Sequence, residues 1–231
     1  KPQAAFFFAQ GHDGMRVLAT LGRAAIDAGM LVIMDAKRND IGSTNAAYAD
    51  AWIGHDAPFP SDALTVNAFL GMDTLEPLLA RADATGAGLF VLTRTSNPGA
   101  GAIQDLDVDG KPLFHRLAEQ PAPLAAARCD SNGGSALGIV AGATWPEDAK
   151  ALRAILPSSP FLVPGFGAQG AGPADALAGL QRTDAGWDGG LINSTRGLIF
   201  PKAAASATST ASWRQAIDDA VEDSRTTLAS V

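Results

Sequence analysis

The stretch Met30-Leu31-Val32-Ile33-Met34-Asp35 runs directly into Ala36-Lys37-Arg38-Asn39-Asp40-Ile41. An apolar run of strand length that ends in alternating charges reads as a buried parallel strand delivering reactive groups at its carboxyl end. In an extended strand the side chains at i and i+2 share a face, so Asp35 and Lys37 are expected to point the same way, with Asp40 on the following loop. A buried lysine between two carboxylates keeps its proton, because the opposite charges outweigh desolvation. Such a group suits a reaction that develops negative charge on carbon and needs a proton delivered there.

The same apolar pattern recurs over residues 63–67, 88–93, 136–141, 160–164 and 190–193, making six predicted strands with that of 30–35. Amphipathic segments at 15–28, 44–52, 73–82, 113–128, 146–156, 173–180 and 212–228 are predicted helices, with Pro146 and Pro173 in first turns that tolerate proline. Residues 201–212, rich in Ala, Ser and Thr, are expected to form a loosely ordered approach to the last helix. Strand and helix alternate, which predicts an α/β fold with a parallel sheet.

Nearly every strand ends in a polar or glycine-rich cluster: DAKRND, VNAFLG, RTSNPGAG, GATW, PGFGAQG and NSTRG. In barrels and doubly wound sheets the ligand lies at those ends, so the clusters are expected to serve one site. Six strands fall short of the eight in a closed (β/α)8 barrel. The chain opens on Lys1-Pro2-Gln3 as though a strand had just ended. The pattern therefore predicts an N-terminally incomplete barrel lacking the first strand, the first helix and most of the second strand, about 40–60 residues at ~30 per unit. Residues 1–231 are expected to be a single catalytic domain, since no linker or repeat divides them.

Two clusters carry anion-binding chemistry. Pro164-Gly165-Phe166-Gly167-Ala168-Gln169-Gly170 offers a backbone that can approach a phosphate closely, and Asn193-Ser194-Thr195-Arg196-Gly197 adds a guanidinium able to hold its oxygens in a bidentate grip. The segment from Arg94 to Gly101 is predicted to be a loop that can close over a ligand.

Composition narrows the function classes. The chain of 231 residues is 47% hydrophobic with a net charge of −7, and it has no basic run to neutralise a nucleic-acid backbone. No apolar run approaches the ~18 residues of a membrane span. The single cysteine, Cys129, forbids an intrachain disulfide, is expected to be a packing thiol and fits a reducing cytoplasm. His12, His55 and His115 form no convincing metal-ligand pattern.

Taken together, DAKRNDIGST, K-P-Q, T-V-N, T-S-N-P-G, G-A-T, L-V-P-G-F-G-A-Q-G and N-S-T-R resemble the orotidine 5′-phosphate decarboxylase family, in its bacterial subgroup with a D-A-K-R-x-D-I motif. The resemblance runs along essentially the whole chain. It implies a TIM-barrel homodimer without metal or organic cofactor that converts orotidine 5′-monophosphate to uridine 5′-monophosphate and CO2. By the same resemblance Lys37 donates the proton to C6 and Asp35 stands beside the departing CO2. Asp40, Ile41 and Thr44 reach into the neighbouring subunit's site. Lys1 contacts the ribose and orders the array Lys1, Asp35, Lys37 and Asp40; Ser96 contacts the pyrimidine; Gln169 and Arg196 grip the phosphate beside Pro164. The family's first-strand aspartate has no counterpart here, and Asn39 stands where many relatives have glycine. The competing readings are a magnesium-dependent aldolase resembling 3-hexulose-6-phosphate synthase and a non-catalytic phosphate-binding barrel.

Overall fold

A computed structural model describes residues 1–231. Six parallel strands alternate with helices: β1 (Ile33–Arg38), β2 (Ala63–Val66), β3 (Gly88–Arg94), β4 (Leu137–Ala141), β5 (Phe161–Pro164) and β6 (Gly190–Asn193). They are hydrogen-bonded in the order in which they occur in the chain, as in a (β/α)8 barrel, of which six strands are present. The chain forms two compact units, and both β3 and β4 contribute to each.

In the unit made of Lys1–Leu92 and Leu117–Ile139, β1 pairs with β2 and β2 with β3. The Leu89 N–H reaches the Ala136 carbonyl just ahead of β4. On the other side of β1, Gln3 bridges to Asp35 in parallel register and the Asp35 N–H donates to the Pro2 carbonyl, so the opening residues stand alongside β1 as a strand end would. The core includes Leu18, Met34, Ile53, Leu64, Leu78 and Leu89, all but fully buried. Helix Gly11–Asp27 packs closely on β1 because Gly22 lacks a side chain: a Cβ there would stand 2.9 Å from Met34 Cε and 3.0 Å from the Pro60 carbonyl oxygen.

The β1 boundaries differ from the sequence expectation. Met30 and Leu31 are 63% and 82% exposed, and the ladder to β2 begins at Val32, whose carbonyl accepts the Asp62 and Ala63 N–H groups. Gly29, with φ +75°, ends the preceding helix, and apolar character alone does not set where pairing starts. At its other end the strand continues through the charged residues as far as Arg38.

In the unit made of Thr93–Arg116 and Val140–Val231, β5 and β6 pair in parallel, and the ends of β3 and β4 meet where the Gly142 N–H donates to the Arg94 carbonyl. Helix Pro146–Ile155 begins with proline, carries Glu147 and Asp148 in its first turn and Arg153 in its last, matching the helix dipole at both ends. Arg153 then ties the base of the unit together: its guanidinium donates to the carbonyls of Leu156, Ser159, Gly179 and Gly189 and lies 3.8 Å from the Phe161 ring centroid. Burial pushes its pKa down to about 10, against the opposing charge of Asp188.

Other differences have local causes. The helix predicted over 113–128 is two helices, Leu113–Glu119 and Ala122–Ala126, because Pro121 cannot continue the first. Two short hairpins were not expected; the Asp107–Val108/Lys111–Pro112 pair turns on Asp109 and Gly110, both at positive φ. Asp-Gly is the dipeptide that such a turn favours. Cys129 is exposed rather than packed. Residues Lys202–Ala205 form a short helix within the stretch expected to be loosely ordered.

Candidate active site

The end of β1 carries a compact charge cluster. Asp35, 6% exposed, accepts hydrogen bonds at both carboxylate oxygens: Lys1 Nζ at 2.5 Å and Gln3 Nε2 at 3.1 Å on Oδ2, Lys37 Nζ at 2.5 Å and Thr65 Oγ1 at 3.1 Å on Oδ1. Burial alone would raise the Asp35 carboxyl, but the adjacent Lys1 ammonium, with Lys37, outweighs it and holds the group below the usual carboxylate range.

Lys37 reaches Asp35 in an unexpected way. Its backbone has φ +49°, one of two non-glycine residues in the left-handed region. The ladder is irregular here: from the pair Met34/Leu64 to the pair Arg38/Val66, β1 advances four residues while β2 advances two. Simple alternation along a flat strand therefore does not produce the Asp35–Lys37 contact; a bulge does, at a backbone cost of about 1–3 kcal/mol. The Lys37 side chain is also 45% exposed rather than buried, so its ammonium is both anchored and accessible.

Arg38 belongs to the scaffold. Its Nε donates to the Ala36 carbonyl, and its guanidinium lies 5.5–5.8 Å from the ring centroids of Phe8, Tyr48 and Trp52. Asp40 is outside the ion cluster and makes no ion pair within the chain; its carboxylate accepts the Ile41 N–H at 2.8 Å. Buried Asn45 fixes this turn by donating to the carbonyls of Asp40 and Thr74. Ile41, 60% exposed, and Thr44, also exposed, stand at the start of helix Gly42–Trp52.

The second unit holds the remaining predicted residues. Arg94, 2% exposed, lies 2.8 Å from Asp148 and 2.7 Å from Asp105, with its guanidinium over the Trp145 and Phe114 rings. The loop beyond it is bracketed further: Gln104 bonds both the Thr95 N–H and its hydroxyl, and Trp145 Nε1 donates to the Thr95 carbonyl. Ser96 passes so close to Gly142 that a Cβ there would meet the Ser96 Cα at 2.8 Å. Thr144 Oγ1 donates to the Ser96 carbonyl, and the Ala143 N–H to that of Pro164.

After β5, Gly165 at φ +109° and Gly167 at φ +73° turn the chain so that Gln169 lines a concavity of about 330 Å³ with Thr144 and Gly170. Arg196 is exposed at the start of helix Arg196–Ile199 and makes no ion pair within the chain. The structure thus gathers Lys1, Asp35 and Lys37 in one unit and places Ser96, Pro164, Gln169 and Arg196 in the other. Gln3 and Thr65 fall within the K-P-Q and T-V-N motifs, but the sequence assigns neither a role. Thr65 had a signal, being the single polar residue of an otherwise apolar strand.

The chain is similar to known proteins along most of its length. It is 48% identical over 204 residues to the orotidine 5′-phosphate decarboxylase of Rhodopirellula baltica, covering 87% of this chain and 67% of that one. The enzyme of the same name from Halorubrum lacusprofundi is 45% identical over 205 residues, with the same coverage. The chain therefore spans about two thirds of the length of these curated relatives. Among solved structures, Leishmania donovani OMP decarboxylase superposes with a TM-score of 0.71 at 34% identity, over 96% of this chain and 79% of that one. The family model described as orotidine 5′-phosphate decarboxylase / HUMPS family matches residues 1–209. The chain belongs to the orotidine 5′-phosphate decarboxylase / HUMPS family.

Proposed function

We propose that this chain catalyses the decarboxylation of orotidine 5′-monophosphate to uridine 5′-monophosphate and CO2, the last step of pyrimidine nucleotide synthesis. The observation that carries the reading is Lys37, whose ammonium is held at 2.5 Å by a buried, ionised Asp35 while its side chain is nearly half exposed. The bond between C6 and the carboxylate carbon breaks, that carbon leaves as CO2, and the electron pair left on C6 takes a proton from Lys37 Nζ, which is later replenished from water.

That carbanion has no ring position over which to spread its charge, so stabilisation on the order of 20 kcal/mol is needed. Fixed charges supply it best, because they need not reorganise as the reaction proceeds. Asp35 holds the ammonium in place and stands beside the departing CO2; Lys1, the second cation on Asp35, is assigned to the ribose. Ser96 is assigned to the pyrimidine. Gln169 and Arg196 are assigned to the phosphate beside Pro164; the unpaired guanidinium and the glycine-shaped turn at Gln169 favour an anion there. Remote binding energy from that phosphate lowers the barrier at C6.

Asp40, Ile41 and Thr44 are assigned to the site of a second copy in a homodimer, which accords with the exposure of Ile41 and Thr44 and with the absence of an ion pair to half-buried Asp40 in its own chain. Residues 1–231 are read as one barrel domain, since β3 and β4 contribute to both units. No helix is long and apolar enough to cross a membrane, and a cytoplasmic location accords with a lone, unpaired cysteine. The named relatives favour the decarboxylase over the magnesium-dependent aldolase. Incubation of the purified protein with orotidine 5′-monophosphate, with and without chelator, should deplete the substrate's absorbance equally; no depletion in either would contradict the assignment.

A further inference from the structure

Thr65 lies opposite the β1 bulge and is fully buried in a strand whose other residues, Ala63, Leu64 and Val66, are apolar. A hydroxyl in such a place is costly unless both its donor and its acceptor capacities are used. Here both are. Thr65 Oγ1 accepts the backbone N–H of Lys37 at 3.0 Å and donates to Asp35 Oδ1 at 3.1 Å. In a regular parallel ladder a strand N–H pairs with a carbonyl of its neighbour. The positive φ of Lys37 interrupts that ladder, and the hydroxyl receives the N–H instead.

We infer that Thr65 is a positioning residue for the decarboxylation, one buried hydroxyl fixing both the left-handed backbone of Lys37 and the carboxylate oxygen on which its ammonium rests. Valine matches threonine in shape but can neither accept the Lys37 N–H nor donate to Asp35. It would leave Oδ1 held by the lysine side chain alone and free the strained residue to relax. The effect falls on the placement of the proton donor and not on substrate binding, because Thr65 is inaccessible to any ligand. This inference rests on the decarboxylase reading.

The test compares wild type, Thr65→Val, Thr65→Ser and Thr65→Ala for turnover of orotidine 5′-monophosphate and, by calorimetry, for binding of uridine 5′-monophosphate. Thr65→Val should lower kcat on the order of 100-fold, the scale of a misplaced catalytic group, with KM and product affinity little changed. Thr65→Ser, which keeps the hydroxyl, should restore turnover close to wild type. Should the valine protein fail to fold, Thr65→Ala is read in the same way. Wild-type turnover in the valine or alanine protein, or a serine protein as impaired as they are, would overturn the inference. An inactive wild type would instead overturn the decarboxylase reading and the Thr65 role with it.

Discussion

Lys37 Nζ rests 2.5 Å from Asp35 Oδ1 although the Lys37 backbone is held at φ +49°, so one of the two 2.5 Å ion pairs on Asp35 is built on a left-handed residue. A lysine adopts that conformation only where its surroundings enforce it. Replacing Lys37 by glycine and by alanine separates the backbone from the charge. Both lose the ammonium, but glycine meets no Cβ penalty at positive φ. Lys37→Gly should be more stable than Lys37→Ala by about 1 kcal/mol, read from denaturant unfolding. Equal stabilities would mean that the backbone relaxes.

Asp35→Asn leaves two ammonium groups, Lys1 and Lys37, against a neutral amide. The Lys1 side chain is only 12% exposed, so its charge would lose its partner in a largely buried place. Unfolding free energy should fall by roughly 3 kcal/mol, as when one member of a buried pair is removed. Turnover should drop on the order of 1000-fold, because the ammonium is no longer held in place.

The same residue predicts an acid limb of stability. Its folded pKa lies below the unfolded value of about 3.9, so Asp35 contributes stability that is fully present above that value and is lost as the pH falls through the folded pKa. The melting-temperature difference between wild type and Asp35→Asn should be constant near neutrality and shrink below about pH 4. A difference that grows on acidification would contradict the sign.

Arg94 ties the loop after β3 to helix Pro146–Ile155 through Asp105, Asp148 and two aromatic faces, all within one unit. Arg94→Met removes the cation that half-exposed Asp105 and partly exposed Asp148 share. It should cost roughly 2 kcal/mol of stability, the scale of lost charged hydrogen bonds, and speed proteolytic cleavage within residues 95–112. Unchanged cleavage would show that the bonds of Gln104 and Trp145 to Thr95 hold the loop without it.

Much of this arrangement was legible in the sequence. Residues 63–67, 88–93 and 160–164 form strands within a residue of where their apolar runs lie, because strands buried on both faces leave an unbroken apolar signature. The start of β1 was not legible, since Met30 and Leu31 are as apolar as Val32 and Ile33 and only pairing with β2 separates them. The paired charges of Asp35 and Lys37 are legible in D-A-K, yet the geometry that joins them is not. Flat alternation and a bulge with a left-handed lysine both bring i and i+2 together, and no local rule favours the second for a lysine. The role of Thr65 was not legible because it depends on the pairing of two strands, with Thr65 28 residues along the chain from Lys37.

The central claim is that the Lys37 ammonium delivers the proton to C6. Its most direct test is single-turnover conversion of orotidine 5′-monophosphate by wild type and by Lys37→Ala, with uridine 5′-monophosphate binding measured on both. Conversion by the wild type, with no detectable conversion by Lys37→Ala despite retained nucleotide binding, is the predicted result. Conversion by Lys37→Ala at the wild-type rate would contradict it.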